Sequence, residues 1–170
     1  IKGMDLVVPA FAQVKKRYPD TRLVIVGEGS LRVKMQRQAQ EFDCTDNVEW
    51  AGRQPQERLM EWYRRMDIVL MPSRSEGFGL TAIEAMANGC VVVASRTGGL
   101  PEVVQDGEVG LLHKVGSIDD MANKIISLIA TPELLQKYSS KAIRYVRRYS
   151  FERYSQLFND LYKRLITTKR

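Results

Sequence analysis

Short, continuous apolar runs alternate along this chain with segments whose apolar residues recur at helical spacing. Three runs are rich in β-branched residues, namely LVIVG (23–27), DIVLMPS (67–73) and CVVVAS (90–95). NVEWAG (47–52) is a less apolar run, and GLLH (110–113) is a short one. Uninterrupted runs such as the first three predict strands that are buried on both faces, as in a parallel sheet. Helices between them supply the crossovers that parallel pairing requires. We therefore expect an α/β fold with a doubly wound parallel sheet and helices on both faces.

The first four helical patterns fall between these strands. Met4 begins a helix that stops before Pro19, and Ser30 is expected to cap the next one. Two more patterns cover residues 59–66 and 80–88. The stretch between residues 96 and 110 is rich in glycine and is expected to be a loop.

Three helical patterns finish the chain. Ser117 opens one of them, with Asp120 at the capping-box position, and Pro132 starts another that runs to about residue 149. Ser150 caps the last helix, whose apolar stripe consists of Tyr154, Leu157, Phe158, Leu161 and Leu165. Because no repeat and no interior linker is visible, residues 1–170 are expected to form one domain.

Charge and composition limit the function only loosely. No apolar run approaches the roughly 20 residues that span a bilayer, and no signal peptide is visible. The net charge of +6 favours anionic partners. The basic residues late in the chain fit the solvated faces of two helices better than nucleic-acid binding, because no interleaved aromatic motif accompanies them; contact with a membrane surface stays open as an alternative. These residues are Lys141, Arg144, Arg147, Arg148, Arg153, Lys163, Arg164, Lys169 and Arg170.

Few residues in the chain could bind a metal or act as a nucleophile. Cys44 and Cys90 are far apart, and reduced thiols in a cytosolic setting fit better than a disulfide. His113 is the only histidine, so no His/Cys metal cluster can form, and no G-x-S-x-G turn accompanies it. We expect His113 to be structural or on the surface, and we expect neither a metal nor a cofactor.

The stretch SEGFGLTAIEAMANG (75–89) is the strongest candidate for a binding site. Glycines between a strand and a helix let backbone N–H groups approach an anion, and the helix N-terminus adds its positive dipole end. Glu76 and Glu84 flank this turn, and carboxylates favour hydroxyl groups over phosphates. Hydroxyl-bearing ends with phosphates between them describe a nucleotide-sugar. Taken singly, Glu84 could be an ordinary first-turn glutamate and Glu76 a solvated loop charge.

The longer stretch PSRSEGFGLTAIEAMANGCVVVASRTGGLPEVVQDGEVGLL (72–112) closely resembles the signature region of the retaining glycosyltransferases of family 4. Glu76 and Glu84 meet that family's Glu-x7-Glu spacing, and the likeness extends from KGMDLVVPAF through VGEG to the last helix. Members have the GT-B fold, with two Rossmann-like domains and the active site in the cleft between them. The resemblance implies that this chain is the second domain, which binds the nucleotide-sugar donor and carries extra C-terminal helices.

The resemblance also implies roles for individual residues. Lys2 matches the lysine that contacts the diphosphate, Glu76 the glutamate near the transferred sugar, and Glu84 the glutamate that accepts hydrogen bonds from the ribose diol. Lys2 and Glu76 are therefore the expected catalytic residues. The remaining donor-binding candidates include the loop formed by Gly77, Phe78, Gly79, Leu80 and Thr81. In this loop, Phe78 and Leu80 are expected to exclude water from the diphosphate. Gly27 and Arg53 are the candidates for the region of the base and the phosphates.

Two parts of the family's pattern are expected to be missing from this chain, namely a strand before the Lys-Gly pair and the N-terminal acceptor-binding domain. We therefore expect an inactive donor-binding half of a cytoplasmic glycosyltransferase, at the membrane surface or free of it, that uses no metal. Its last helix should expose an apolar patch that the missing domain covers. A GT-B-like sugar-nucleotide epimerase and a non-catalytic nucleotide-sugar binding module stay open as alternatives.

Overall fold

The computed structural model describes residues 1–167, so Lys169 and Arg170 of the basic group lie outside the described residues. The strands are β1 (Leu23–Val26), β2 (Val48–Gly52), β3 (Ile68–Met71), β4 (Val91–Ser95) and β5 (Gly110–His113). The helices are α1 (Val7–Arg17), α2 (Arg32–Glu41), α3 (Gln56–Arg64), α4 (Leu80–Ala87), α5 (Leu100–Val103), α6 (Ile118–Ile129), α7 (Pro132–Tyr145) and α8 (Phe151–Thr167). Short 3-10 turns cover Met4–Leu6, Thr45–Asn47 and Val146–Tyr149.

Strand β4 lies at the centre of the fold and is buried along its whole length. Its side chains alternate between two clusters, as the period of a strand requires. Val92 and Ala94 pack with α4 and α7 residues such as Met86, whereas Val91 and Val93 pack with residues of α1 and α6. The predicted doubly wound α/β arrangement, with helices on both faces, is confirmed.

The parallel sheet is interrupted between β1 and β3. Strand β1 pairs in parallel with β2, and β3, β4 and β5 form a separate parallel sheet in that order. A cavity of about 1400 Å³ is lined by every residue of β1 and β3, with α1 side chains such as Phe11 and α3 side chains such as Trp62. We call the part of this cavity between the two strands the slot.

The slot corrects one expectation about burial. Leu23–Val26 and Ile68–Met71 were predicted to be buried on both faces, but most of their residues are only half-buried. The physical reason is that each strand has a partner on one edge alone, so the other edge and its side chains face the slot. The prediction is right for β4, which has a strand on both sides.

The ends of α2 and α6 differ from the sequence-based expectation. Ser30 is not the N-cap of α2, because a turn in which Arg32 N–H donates to Gly29 O delays the helix until Arg32. Ser117 does cap α6, since its Oγ accepts the N–H of Asp120 at 3.2 Å. The capping box is only half formed, because the Asp120 carboxylate accepts the N–H of Lys114 at 2.7 Å instead of reaching back to Ser117.

Two other helix boundaries also depart from the pattern. The α-helix that starts at Pro132 stops at Tyr145 and continues as a 3-10 turn to Tyr149. Helix α5 lies inside the glycine-rich stretch that was expected to be a loop, and Pro101 occupies its first turn, where proline is tolerated. Ser150 caps α8 as expected, because its Oγ accepts the N–H of Arg153 at 3.3 Å.

The last helix exposes its apolar face, as expected. Phe151 is 80% exposed and Leu157 is 52% exposed, and Tyr154, Phe158, Leu161 and Leu165 are exposed as well. We call these six side chains the α8 patch. Within residues 1–167, no helix combines the length and the apolarity needed to cross a bilayer.

The single histidine and both cysteines lie inside the fold. Cys44 and Cys90 are buried and free, and burial raises the pKa of Cys90 to about 11. His113 is 1% exposed, and its Nδ1–H donates to Lys114 O at 2.9 Å. Burial lowers the pKa of His113, so the ring is neutral and structural.

Candidate active site

The turn between β3 and α4 presents the N-terminus of a helix to solvent. Gly79 precedes α4 with a φ of 92°, in the left-handed region that favours glycine. No side chain caps the first turn of α4. The positive end of the helix is therefore directed at the residues of the turn and at any anion bound there.

The turn is held from behind by two glycines of the stretch that was expected to be a loop, Gly98 and Gly99. A Cβ on Gly98 would lie 1.7 Å from Glu76 O, and one on Gly99 would lie 2.6 Å from Gly77 O. Gly99 N–H also donates to Glu76 O at 3.3 Å. The backbone of residues 76–78 thus rests directly on the backbone of residues 98–99, which fixes the position of the turn.

Lys2 and Glu76, far apart in sequence, form an ion pair. Lys2 Nζ lies 2.8 Å from Glu76 Oε2, and Ser73 Oγ lies 3.4 Å from the same oxygen. The Lys2 side chain is 65% exposed, whereas that of Glu76 is 13% exposed. The hydrogen bond from Lys2 lowers the pKa of Glu76, with a smaller contribution from Ser73, so the carboxylate is ionised at neutral pH.

Close backbone contact brings Lys2 to this place. Gly3 has a φ of 65°, and a Cβ there would lie 1.9 Å from Pro72 O, so only glycine fits. Arg74 reinforces the contact. Its guanidinium group binds both carboxylate oxygens of Asp5 at 2.7 and 2.8 Å, and its backbone N–H donates to Ile1 O at 2.7 Å. The hydrogen bonds from Arg74 lower the pKa of Asp5. Sequence reasoning gave none of these residues a supporting role.

Glu84 lies one turn into α4 and is half-buried. Its Oε2 accepts a hydrogen bond from the hydroxyl group of Tyr63 on α3 at 3.0 Å. Tyr63 was not among the predicted residues, and its position in a helical apolar stripe gave no signal beyond a packing role. Both side chains line the cavity.

The structure brings only part of the predicted set to the cavity wall. Lys2, Gly27, Thr81 and Glu84 line it, and Glu76 reaches it through Lys2. The N–H of Gly27 donates to Gly52 O at 2.7 Å, so this donor is already used.

The other predicted donor-binding residues lie outside this wall, as far as the structure describes the chain: Gly77, Phe78, Gly79, Leu80 and Arg53. Phe78 is 47% exposed and packs edge-on against Tyr149, with ring centroids 5.8 Å apart. Leu80 and Arg53 are exposed. Among residues 1–167, no three His, Cys, Asp or Glu side chains form a group that could hold a metal ion.

Comparison with known proteins gives a consistent result. The family model described as glycosyl transferases group 1 matches residues 1–145. A D-inositol 3-phosphate glycosyltransferase of Segniliparus rotundus is 37% identical over 156 residues, which are 89% of this chain and 35% of that protein. The chain spans between 35% and 45% of the length of the curated relatives that it matches.

Solved structures share the fold. Sucrose-phosphate synthase from Thermosynechococcus elongatus superposes with a TM-score of 0.84 at 31% identity, covering 98% of this chain and 43% of that one. HepE of Anabaena in complex with UDP-glucose superposes with a TM-score of 0.84 at 25% identity, covering 95% of this chain and 45% of that one. These likenesses confirm the predicted fold class.

Proposed function

Because this chain belongs to the glycosyl transferases group 1 family, we propose that it is the nucleotide-sugar donor-binding half of a retaining glycosyltransferase. The whole enzyme would move a sugar from a nucleoside-diphosphate sugar to an acceptor hydroxyl. The observation that carries this proposal is the Lys2–Glu76 pair, 2.8 Å apart, beside the uncapped N-terminus of α4. The UDP-glucose complex of the similar HepE protein supports a ligand of this class.

The diphosphate would lie at the positive end of α4. Backbone N–H groups of the turn and the ammonium group of Lys2 would stabilise the negative charge that develops on the leaving group, which is electrostatic catalysis. Lys2 is 65% exposed and can turn from Glu76 to a phosphate without a large change in burial. Because these groups are cationic or N–H donors, we propose a reaction without a metal ion.

The two carboxylates would bind the hydroxyl-bearing ends of the donor. Once Lys2 turns to the phosphate, Glu76 can accept a hydrogen bond from the transferred sugar. Glu84 at the cavity wall would accept hydrogen bonds from the ribose diol. Hydrogen bonds to an ionised carboxylate are roughly twice as strong as neutral ones, so both contacts favour the hydroxylated ligand.

The slot and the α8 patch support the further proposal that the enzyme contains more than these 170 residues. One additional parallel strand in the slot could hydrogen-bond to the free edges of both β1 and β3 and restore one continuous sheet. An acceptor-binding domain would cover the α8 patch. We propose a cytoplasmic enzyme, at the membrane surface or free of it.

The epimerase alternative is less well supported by the site. Carbon–hydrogen chemistry needs acid and base groups at the sugar. His113 is buried at the end of β5, and its Nδ1 is already bonded to Lys114 O. A non-catalytic binding module would differ from the enzyme by having no acceptor-binding domain in its natural polypeptide.

Calorimetric titration tests the proposed function. We would titrate the natural polypeptide that carries this chain with UDP, GDP and ADP, and then with their sugar conjugates. Saturable binding of one nucleotide is expected, and Glu84→Ala should weaken it by about 1.5–3 kcal/mol because charged hydrogen bonds to the ribose are lost.

Glu108→Ala is the control, since it removes a glutamate that lies away from the cavity wall and pairs with Lys141 at 2.6 Å. Affinity that is unchanged in a folded Glu84→Ala variant removes Glu84 from the ribose role. Failure of the unmodified protein to bind any of the three nucleotides would overturn the donor-binding function.

A further inference from the structure

The contact between Tyr63 and Glu84 joins a rigid residue to a flexible one. The Tyr63 ring packs against the core cluster that contains Ala82, Met86 and Cys90. Its backbone is held as well, because the Sγ of Cys90 lies 3.1 Å from Tyr63 O. The ring therefore has a fixed position, from which its hydroxyl group reaches Glu84 Oε2 at 3.0 Å.

Glu84 depends on this contact for its orientation. Within residues 1–167, Tyr63 is the one hydrogen-bond partner of the Glu84 carboxylate, and no Lys or Arg forms an ion pair with it. A glutamate side chain has three rotatable bonds and loses conformational freedom when a ligand immobilises it. A hydrogen bond made before the ligand arrives reduces that loss.

The bond leaves the carboxylate able to bind a ligand. An ionised carboxylate has about four acceptor sites, and the Tyr63 hydroxyl occupies one of them. Burial and the neighbouring Glu84 charge raise the pKa of Tyr63, so its hydroxyl group stays protonated and remains a donor at every physiological pH. The free acceptor sites of Glu84 are then presented to the cavity that both side chains line.

We infer that Tyr63 is a positioning residue that orients the Glu84 carboxylate for a vicinal diol, and that it thereby makes the site selective for ribonucleotide over deoxyribonucleotide donors. This role rests on the donor-binding function proposed above. Tyr63, on α3, would thus influence which ligand binds by acting through Glu84 and without contacting the ligand itself.

The test compares the affinity of Tyr63→Phe and of the unmodified natural polypeptide for UDP and for 2′,3′-dideoxy-UDP. If the titration above identifies guanine or adenine as the base, GDP or ADP and its 2′,3′-dideoxy form are used instead. Tyr63→Phe keeps the packed ring and removes only the hydroxyl group. We expect it to weaken UDP binding about three- to tenfold, as loss of preorganisation predicts, and to leave dideoxy-UDP binding within about twofold. Tyr145→Phe is the matched control, because it removes a tyrosine hydroxyl that donates to Glu102 O at 2.9 Å away from Glu84.

Equal losses for both ligands would show a general structural effect and overturn the role, as would no loss for either. A second measurement uses Glu84→Ala, which removes the acceptor of the Tyr63 hydroxyl group, and in this background Tyr63→Phe should have no further effect on UDP affinity. If Glu84→Ala weakens binding and Tyr63→Phe does not, the donor-binding function stands and the role of Tyr63 falls. If the unmodified protein binds no nucleotide, both fall.

Discussion

At the scale of single residues, the site depends on backbone contacts that leave no room for a side chain. Gly3 rests on Pro72 O, and Gly98 rests on Glu76 O. The first contact brings Lys2 to the turn, and the second fixes the backbone of Glu76 itself. The charged groups of the site are therefore positioned by glycines that carry no chemistry of their own.

Gly98→Ala should disrupt both the site and the stability of the fold. A Cβ 1.7 Å from Glu76 O forces the turn to move, so we expect a loss of at least tenfold in nucleotide affinity and about 1–3 kcal/mol in stability. Gly107→Ala is the control, because its φ of 74° is also positive but its Cβ would meet no atom within 4 Å. Calorimetry and thermal unfolding measure both effects, and equal losses of affinity in the two variants would contradict the role of Gly98.

At the scale of elements, β5 ends in a buried histidine that couples folding to pH. The Nε2 atom of His113 is buried and has no hydrogen-bond partner in the described part of the chain. Because burial lowers its pKa, His113 stays neutral in the folded protein at a pH where it is protonated in the unfolded chain. The unfolded state then binds the extra proton, so acidification favours unfolding.

We expect the free energy of unfolding to fall as the pH drops below about 6.5, by at most about 1.4 kcal/mol per pH unit. Asp5 and Glu76 also have lowered pKa values, but their stabilising effect is lost only at a lower pH, below about 4. His113→Asn keeps an N–H donor for Lys114 O and should flatten the slope between pH 5 and 6.5. Urea unfolding at several pH values measures it, and an unchanged slope in the variant would assign the effect to other groups.

At the scale of the whole molecule, the slot and the α8 patch are the two surfaces that additional parts of the proposed enzyme would cover. The slot separates β1 from β3, and the α8 patch lies on the last helix. Exposed apolar side chains in such a contiguous row mark an interaction surface. We propose an additional strand for the slot and an acceptor-binding domain for the patch.

Charges on the α8 patch should therefore impair transfer without impairing donor binding. In the natural polypeptide, Leu157→Asp combined with Leu161→Asp should lower sugar transfer more than tenfold, because burial of each leucine contributes about 1.5–3 kcal/mol. UDP affinity should stay within about twofold. The control adds equal charge to exposed polar positions of the same helix, with Gln156→Asp and Asn159→Asp. Unimpaired transfer in the leucine variant would show that no domain covers this face.

Local patterns predicted the strands and every helix except α5, but not the supporting contacts. The run at residues 90–95 predicted β4 because consecutive β-branched residues need burial on both faces, and the Glu-x7-Glu spacing selected Glu76 and Glu84. The Lys2–Glu76 contact could not be predicted, since it depends on Gly3 meeting Pro72 from the other end of the chain. Tyr63 was hidden because a tyrosine in an apolar stripe predicts packing, whereas its hydroxyl group acts on a neighbouring helix.

The slot also offers an engineering use. Two facing strand edges, with α1 on one side and α3 on the other, can recognise an extended peptide by its backbone and by both of its side-chain rows. A short peptide whose side-chain pattern matches the slot could be fused to a second protein. The peptide would insert into the slot when that protein comes close to this chain. Insertion of the peptide would then report the encounter, with this chain as the larger part of a split reporter.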